Sequence, residues 1–193
     1  MGKIIISENV TLDGVVQDPT GDDGFSRGGW FLGARDKANE AWTKVETEEA
    51  LAAEALLLGR RSYEYFATRF ASRTGVWADK LNSMPKYVVS AALDDPGWIN
   101  STVIKGNVVS QVSKLKERLN GEIIVYASRP LVRTLIGNDL ADELRLMIHP
   151  IVLGAGERLF GETTGKLPLN LVANQTVGGS IAYVTYEIVR TVT

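Results

Sequence analysis

The sequence predicts an α/β protein with a mainly parallel central sheet that ends in an antiparallel hairpin. Two observations carry this prediction. Strand-like and helix-like segments alternate as far as residue 136, which is typical of parallel strands joined by crossover helices. Beyond residue 142 only strand-like segments follow, and Gly178-Gly179 between the last two indicates a tight hairpin turn. No repeat or linker divides the 193 residues, so we expect one domain over 1–193.

The individual elements follow from apolar periodicity and from turn residues. Residues 35–54 are rich in Ala, Glu and Lys with apolar positions at helical spacing, which predicts a helix. Asn107 is placed to cap another helix. Ser128 is placed to cap the next one, with Pro130 tolerated in its first turn. A further helix is predicted at 60–68, a loop at 17–29, and strands at 3–7, 55–58, 85–90, 102–105, 122–127, 142–153, 169–177 and 181–189.

The composition narrows the classes of function. A net charge of −2 argues against a nucleic-acid surface or a polybasic membrane face. No stretch approaches the ~20 apolar residues of a membrane span. The absence of cysteine excludes thiolate catalysis and cysteine-bound zinc, and the single histidine excludes a multi-histidine metal site. We therefore expect a soluble, cytoplasmic protein without a metal site that acts on a small molecule.

The most informative segment is 56–63, Leu-Leu-Leu-Gly-Arg-Arg-Ser-Tyr, where an apolar strand passes into a helix. Gly59 would let the backbone turn or approach a ligand. A helix N-terminus offers free N–H groups and positive potential. The guanidinium of an arginine can bind two oxygens of one phosphate at once. Arg60 and Arg61 at that end would repel the helix dipole unless an anion lies among them. Together with Ser62 they predict a phosphate site.

A second strand-to-helix junction repeats this design at Ser128-Arg129. Two such junctions at one edge of a parallel sheet are where α/β folds bind nucleotides. The glycine-rich segment at 154–156 is not a dinucleotide fingerprint, because Leu159 stands where its third glycine is due. A phosphate loop at 161–166 fails too, because Leu167 stands where Ser or Thr is required.

Aromatic residues offer a second candidate site. Trp30 and Phe31 follow the glycine-rich loop and could line the pocket of a planar ligand, although packing is the commoner role of such residues. His149, inside the last long strand, has no partner that the sequence can identify, which favours a structural role.

Several motifs, taken in their order and spacing, carry a family resemblance. They lie at 7–14 (Ser-Glu-Asn-Val-Thr-Leu-Asp-Gly), 56–64, 86–90, 131–136 and 142–160. Over nearly its whole length the chain resembles the dihydrofolate-reductase-like proteins. More narrowly it resembles the RibD C-terminal domain, the reductase domain of the riboflavin-biosynthesis deaminase–reductase. The resemblance implies a three-layer fold, with helices on both faces of the sheet.

The resemblance also implies NADPH as the cofactor. The turn at 59–62 would hold its phosphates, Ser90 would lie near the 2′-phosphate, and the turn at 127–131 would lie against the pyrophosphate and nicotinamide. The loop at 11–18 would close over the nicotinamide. This chain departs from the family at 127–130, where Ala-Ser-Arg-Pro stands in place of a pair of glycines. The implied cofactor-binding residues are Gly59, Arg60, Arg61, Ser62, Ser90, Ser128, Arg129 and Leu131.

These inferences lead to two hypotheses. The first is an NADPH-dependent reductase that passes hydride to a small polar substrate, either a pyrimidine ribosyl phosphate or a pterin, with Trp30 and Phe31 facing it. Asp13 would be an acid near the reacting centre; its alternative role is to form the turn before Gly14. Asp36 is only roughly placed for the acidic residue that holds a pterin in folate-type members. The second hypothesis is a nucleotide- or flavin-binding protein that has lost the reductase step. Family habit implies a homodimer.

Overall fold

The computed structural model describes residues 1–31, 37–161 and 165–190. Their contacts form two compact units. The first comprises Met1–Ile6 and Glu46–Asp142, and the second comprises Ser7–Val45 and Glu143–Thr193. Residues 35 and 36, which include Asp36, lie outside the described residues. No helix in the described ranges has the length and apolarity needed to cross a bilayer.

Thirteen elements make up the described chain, and the fold class is the predicted α/β. The one element without a counterpart in the sequence prediction is the short α3, which has only two buried side chains, Ala78 and Leu81. The elements are β1 (Lys3–Thr11), α1 (Lys37–Ala52), β2 (Ala53–Gly59), α2 (Arg60–Phe70), α3 (Val76–Ser83), β3 (Lys86–Val89), β4 (Ser101–Ile104), α4 (Val108–Arg118), β5 (Glu122–Tyr126), α5 (Arg129–Gly137), β6 (Glu143–His149), β7 (Leu169–Val177) and β8 (Ile181–Ile188).

The first unit contains a parallel sheet with strand order β4-β3-β2-β5-β1. The pairs β2–β3, β2–β5 and β3–β4 are all parallel, as the alternation of strands and helices predicts. A core of buried apolar residues from β2, β3, β5 and their helices includes Leu56, Val88 and Ile124. The helix cap at Asn107 is confirmed, because its side chain accepts a hydrogen bond from the Ser110 N–H at 3.0 Å.

The second unit has strand order β1-β6-β8-β7, and both β6–β8 and β7–β8 are antiparallel. The predicted hairpin is confirmed: Val177 pairs with Ile181, and Gly178 and Gly179 take φ values of 57° and 80°, which only glycine adopts readily. Two predicted strand limits are corrected. β1 continues past Ser7 to Thr11 despite its polar residues, and β6 ends at His149 because Pro150 cannot donate to the ladder.

Candidate functional site

Three neighbouring strands of the first unit end side by side. β2 and β3 pair with Gly59 opposite Val89, and β2 and β5 pair with Leu56 opposite Ile124. The carboxyl ends of β2, β3 and β5 therefore share one sheet edge, and α2 and α5 start there. This is the position at which open α/β sheets bind ligands. We call the segments 59–62 and 127–131 at this edge the cradle.

One side chain ties the two halves of the cradle together. The Gly59 N–H donates to Ser128 Oγ at 2.9 Å, and Ser128 Oγ donates to the Tyr126 carbonyl at 3.2 Å. The sequence-based expectation that Ser128 caps α5 with its side chain is wrong. Ser128 occupies the N-cap position but makes no side-chain cap bond. Its hydroxyl is used across the sheet edge instead, so the cradle is held by a hydrogen bond between distant segments.

The turn at 127–128 has a glycine-like backbone without glycine. Ala127 has a φ of 51° and Ser128 a φ of 67°, both in the left-handed region. Such a conformation costs a non-glycine residue roughly 1–2 kcal/mol. Consecutive strained residues of this kind are found mainly at ligand-binding positions. The chain therefore keeps the path that a glycine pair would take, at a conformational cost.

Replacing Ala127 by Gly is expected to raise the free energy of unfolding by about 0.5–1 kcal/mol, because glycine adopts a φ of 51° without strain. Urea unfolding measures the change. Ala71→Gly is the matched control, since Ala71 is exposed with an ordinary φ of −58°, and there glycine should destabilise the protein. A loss of stability in Ala127→Gly would contradict the assigned strain.

Gly59 does not need the conformational freedom of glycine. Its φ of −76° and ψ of 159° are open to any residue, which corrects the expectation that this glycine permits the turn. A Cβ built on Gly59 would lie 3.6 Å from Ser128 Oγ and 3.7 Å from Ser128 Cβ, an ordinary contact distance. The other role expected for Gly59, to let the backbone approach a ligand closely, stays a prediction.

The start of α2 carries positive charge and no cap. Gly59 makes no side-chain cap bond, and the first turn contains no acidic residue. Arg60 pairs with Glu64 one turn on, at 3.0 Å and with both side chains about half exposed. This exposed pair offsets the charge at the helix start only weakly. Arg61 is exposed and Ser62 half-buried at the same end, so N–H groups and a guanidinium face outward where an anion would be favoured.

The remaining predicted cofactor residues lie at the same edge. Ser90 follows β3 and is buried, and its Oγ accepts from the N–H groups of Ala92 and Leu93 at 3.2 and 3.0 Å. Arg129 begins α5 and is half-buried. Leu131 is only 5% exposed and packs into the core. The structure thus brings all eight predicted residues to one edge of the first unit, while their binding roles stay predictions.

Asp13 lies in the second unit and is held by backbone groups. Its carboxylate accepts from Thr11 Oγ1 at 2.7 Å, the Gly154 N–H at 2.8 Å and the Leu153 N–H at 3.2 Å. The Thr11 hydroxyl, followed by these backbone donors, lowers the pKa of Asp13 to about 2. A carboxyl group with this pKa is ionised at neutral pH. This geometry favours the turn-forming role, and the catalytic role of Asp13 stays a prediction.

The second unit also contains an aromatic cluster that includes both predicted substrate residues. Trp30 and Phe31 meet the ring of His149 edge-on, with centroids 5.3 and 5.4 Å away. Phe31 also meets Trp42 at 4.6 Å. Trp30 is buried and its indole N–H donates to the Gln17 carbonyl at 2.9 Å. The sequence indicated Trp30 and Phe31 but not the two rings that complete the cluster.

Asn9 connects this cluster and determines the state of His149. Asn9 Oδ1 accepts from the Trp42 indole N–H at 2.9 Å and lies 3.0 Å from His149 Nε2. Because Oδ1 is an acceptor, Nε2 must carry the hydrogen. Burial lowers the pKa of His149 to about 4, so its ring is neutral at neutral pH. The structure supports a fixed, neutral imidazole. Among the residues described, no three His, Asp or Glu side chains form a group that could hold a metal ion.

Comparison with known proteins shows the family of this chain. Residues 2–183, nearly the whole chain, match the family of RibD C-terminal domains. The chain belongs to this family. The RibD C-terminal family is reductase-like, and the resemblance stated from the sequence motifs is confirmed.

A sequence relative and several solved structures are similar to nearly the whole chain. YyaP, an uncharacterized protein of Bacillus subtilis (strain 168), is 27% identical over 191 residues, 96% of this chain and 94% of its own. The structure of a candidate riboflavin biosynthesis protein from Shewanella sp. PV-4 superposes with a TM-score of 0.75 at 22% identity, over 97% of this chain and 99% of that one. Dihydrofolate reductase from Enterococcus faecalis, solved with NADP(H), superposes with a TM-score of 0.65 at 16% identity, over 97% and 96%. The predicted dihydrofolate-reductase-like fold is therefore confirmed.

Proposed function

We propose that this RibD C-terminal domain protein is an NADPH-dependent reductase that passes hydride to a small polar substrate, either a pyrimidine ribosyl phosphate or a pterin-like molecule. The bond between Gly59 N–H and Ser128 Oγ carries the proposal, because it joins two strand-to-helix junctions into one cradle. The uncapped, arginine-bearing start of α2 supplies N–H donors and charge for phosphates. NADPH, when bound, supplies the hydride, and the residues of this chain bind and orient the reactants.

Two features of the cradle support binding of a phosphorylated cofactor. Ala127 and Ser128 have strained, positive φ values, and in the turn that they form backbone N–H groups can donate to a ligand. Arg61 is exposed beside the first N–H groups of α2, where it can fork onto phosphate oxygens. The Enterococcus faecalis reductase of the same fold was solved with NADP(H).

For the substrate, the aromatic cluster of the second unit supports a planar molecule. Phe31 and Trp42 are both half-buried, so their rings keep some surface for contact with a ligand. A pyrimidine or pterin ring fits such a surface. A structure from Corynebacterium diphtheriae NCTC named as a pyrimidine reductase-like protein has the same fold, with a TM-score of 0.69 at 12% identity.

Substitutions in the cradle should separate binding from stability. Gly59→Ala is expected to leave the free energy of unfolding within about 0.5–1 kcal/mol of the wild type, because its φ of −76° suits alanine. It should weaken NADPH binding about tenfold, since a methyl group would stand where a phosphate approaches. Arg61→Gln should weaken binding by a similar factor through loss of charge. Isothermal titration with NADPH measures both effects.

The matched controls lie in the same unit. Gly137→Ala adds a methyl group into open space at the end of α5, and Arg73→Gln removes an exposed charge beyond the end of α2. Both should bind NADPH as the wild type does. If Gly59→Ala and Arg61→Gln also bind it unchanged, the cradle is not the cofactor site.

The alternative is a nucleotide- or flavin-binding protein without the reductase step. The non-glycine turn at 127–128 is the observation that favours it. Consumption of NADPH is measured with a panel of pterins, pyrimidines and dicarbonyls. Turnover that rises with enzyme concentration for any of these substrates ends the binding-only alternative. Stabilisation by flavins or other nucleotides, with no thermal shift from NADPH, would overturn the reductase proposal.

A further inference from the structure

A groove with basic residues lies in the first unit, outside the segments of the cradle. It has a volume of about 270 Å³ and lies between strands β3 and β4 and the helix α4. We call it the β4–α4 groove. It contains none of the predicted cofactor residues. Its polar lining consists of Tyr87, Thr102, Lys105, Gln111, Lys114 and Arg118.

Sequence spacing places these side chains together. Positions 111, 114 and 118 are three and four residues apart and so share one face of α4. Tyr87 on β3 and Thr102 on β4 are direct partners in the parallel register. β4 is the last strand on its side of the sheet. The groove is therefore walled by a helix face on one side and by the outermost strands of the sheet on the other.

The groove is strongly basic within an acidic protein. Lys105, Lys114 and Arg118 line it, and among the described residues no carboxylate does. The chain as a whole has a net charge of −2. Lys105 is paired with Asp94 at 2.5 Å, but the Asp94 side chain is 91% exposed and lies outside the lining. Attraction to the C-terminal end of the α4 dipole explains why a positive charge is favourable at Arg118. It does not explain the positive charge at Lys105, which follows β4.

Contacts with Tyr87 fix the position of the Arg118 side chain. Its Nη2 donates to the Tyr87 hydroxyl at 3.1 Å, and its guanidinium lies 5.5 Å from the centroid of the Tyr87 ring. An arginine fixed on an aromatic ring loses less freedom when it binds a phosphate. Gln111 and Thr102 add neutral donors and acceptors that suit hydroxyl groups.

We propose that the β4–α4 groove is a second binding site, for a small phosphomonoester that carries hydroxyl groups. Lys114 and Arg118 bind the phosphate, and Gln111 and Thr102 bind the hydroxyls. A volume of about 270 Å³ is at the small end of the range for ligand pockets, which suits a three- to six-carbon phosphate. This site is independent of the proposed NADPH cradle.

Glycerol 3-phosphate is the probe for this site, with glycerol and inorganic phosphate as comparison ligands. Isothermal titration and amide chemical shifts of the full chain measure binding. Glycerol 3-phosphate should bind several-fold more tightly than inorganic phosphate, shift the amides of 102–105 and 111–118, and lose affinity as salt rises. Lys114→Gln with Arg118→Gln should weaken it at least tenfold, whereas Lys114→Arg should keep most of the affinity.

Controls distinguish this site from the cradle. Arg61→Gln and Arg73→Gln should bind glycerol 3-phosphate as the wild type does, and saturating NADPH should not displace it. Displacement by NADPH, or shifts confined to residues 59–62, would overturn a separate site. Equal affinity for inorganic phosphate, or no binding at 10 mM probe, would overturn a phosphomonoester site. A thermal unfolding curve for each variant verifies that the fold is intact.

Discussion

Replacing Glu8 by Gln should stabilise the protein by several kcal/mol at pH 9 and have little effect at pH 4. Glu8 lies on β1 with 7% of its surface exposed, and its Oε1 has no hydrogen-bond partner among the described residues. Burial raises the pKa of this carboxyl from 4.5 to about 8. A shift of this size corresponds to about 5 kcal/mol as an upper limit. The neutral amide of glutamine does not ionise, so it avoids this cost.

The sign of the pH dependence follows from proton counting. Between pH 4.5 and about 8, Glu8 is protonated in the folded protein and ionised in the unfolded chain. The folded state then binds more protons, so the stability of the wild type falls as pH rises, by up to about 1.4 kcal/mol per unit. His149 acts in the opposite direction, because its pKa is lowered to about 4 and stability rises from there to its usual value of 6.5. The variant retains His149, so that contribution cancels in the difference.

Urea unfolding of wild type and Glu8→Gln from pH 4 to pH 9 measures this difference. Glu117→Gln, on the exposed surface of α4, is the control and should stay parallel to the wild type. The burial assigned to Glu8 is wrong if the Glu8→Gln and wild-type curves stay parallel as well. A gain in stability of Glu8→Gln that is already present at neutral pH would show that β1 carries a protonated acid there.

Replacing Lys86 by Met is expected to destabilise the protein by about 2–4 kcal/mol. Lys86 is fully buried, and its ammonium donates to the carbonyls of Leu81 at 2.7 Å, Met84 at 2.9 Å and Asn82 at 3.2 Å. It also lies 4.6 Å from the centroid of the Trp98 ring. Burial lowers the pKa of Lys86 to about 8, which leaves it charged at neutral pH. Methionine fills the space but leaves these carbonyls at the end of α3 without their donor.

Thermal and urea unfolding at pH 7 measure the loss, and Lys80→Met is the matched control. Lys80 lies in the last turn of α3 but is only half-buried, so its replacement should change stability by less than about 1 kcal/mol. Equal effects of the two substitutions would mean that the three hydrogen bonds of Lys86 contribute nothing measurable.

The sequence predicted the structure correctly where the structure depends on a local pattern of residues. The element order, the Asn107 cap and the Gly178-Gly179 turn each depend on residues within a few positions of one another. The helix α3 was missed because it is short and has only two fully buried side chains, so it shows no long apolar stripe. Polar residues at the end of β1, such as Glu8, concealed the length of that strand.

In the candidate sites, too, some features follow from the local sequence and others depend on residues far apart in the chain. That residues 59–62 and 127–131 lie at one sheet edge followed from the prediction of parallel strands, because the carboxyl ends of parallel strands share an edge. That the two segments are neighbours came from the pairing of β2 with β5 in the structure. The target of the Ser128 hydroxyl did not follow from the sequence either, since Ser128 and Gly59 are 69 residues apart and their hydrogen bond depends on the register of β2 and β5. The contact between Asn9 and His149, which are 140 residues apart, arises similarly. A local pattern predicts where Ser128 and Asn9 lie, but their hydrogen-bond partners come from distant segments that folding brings close.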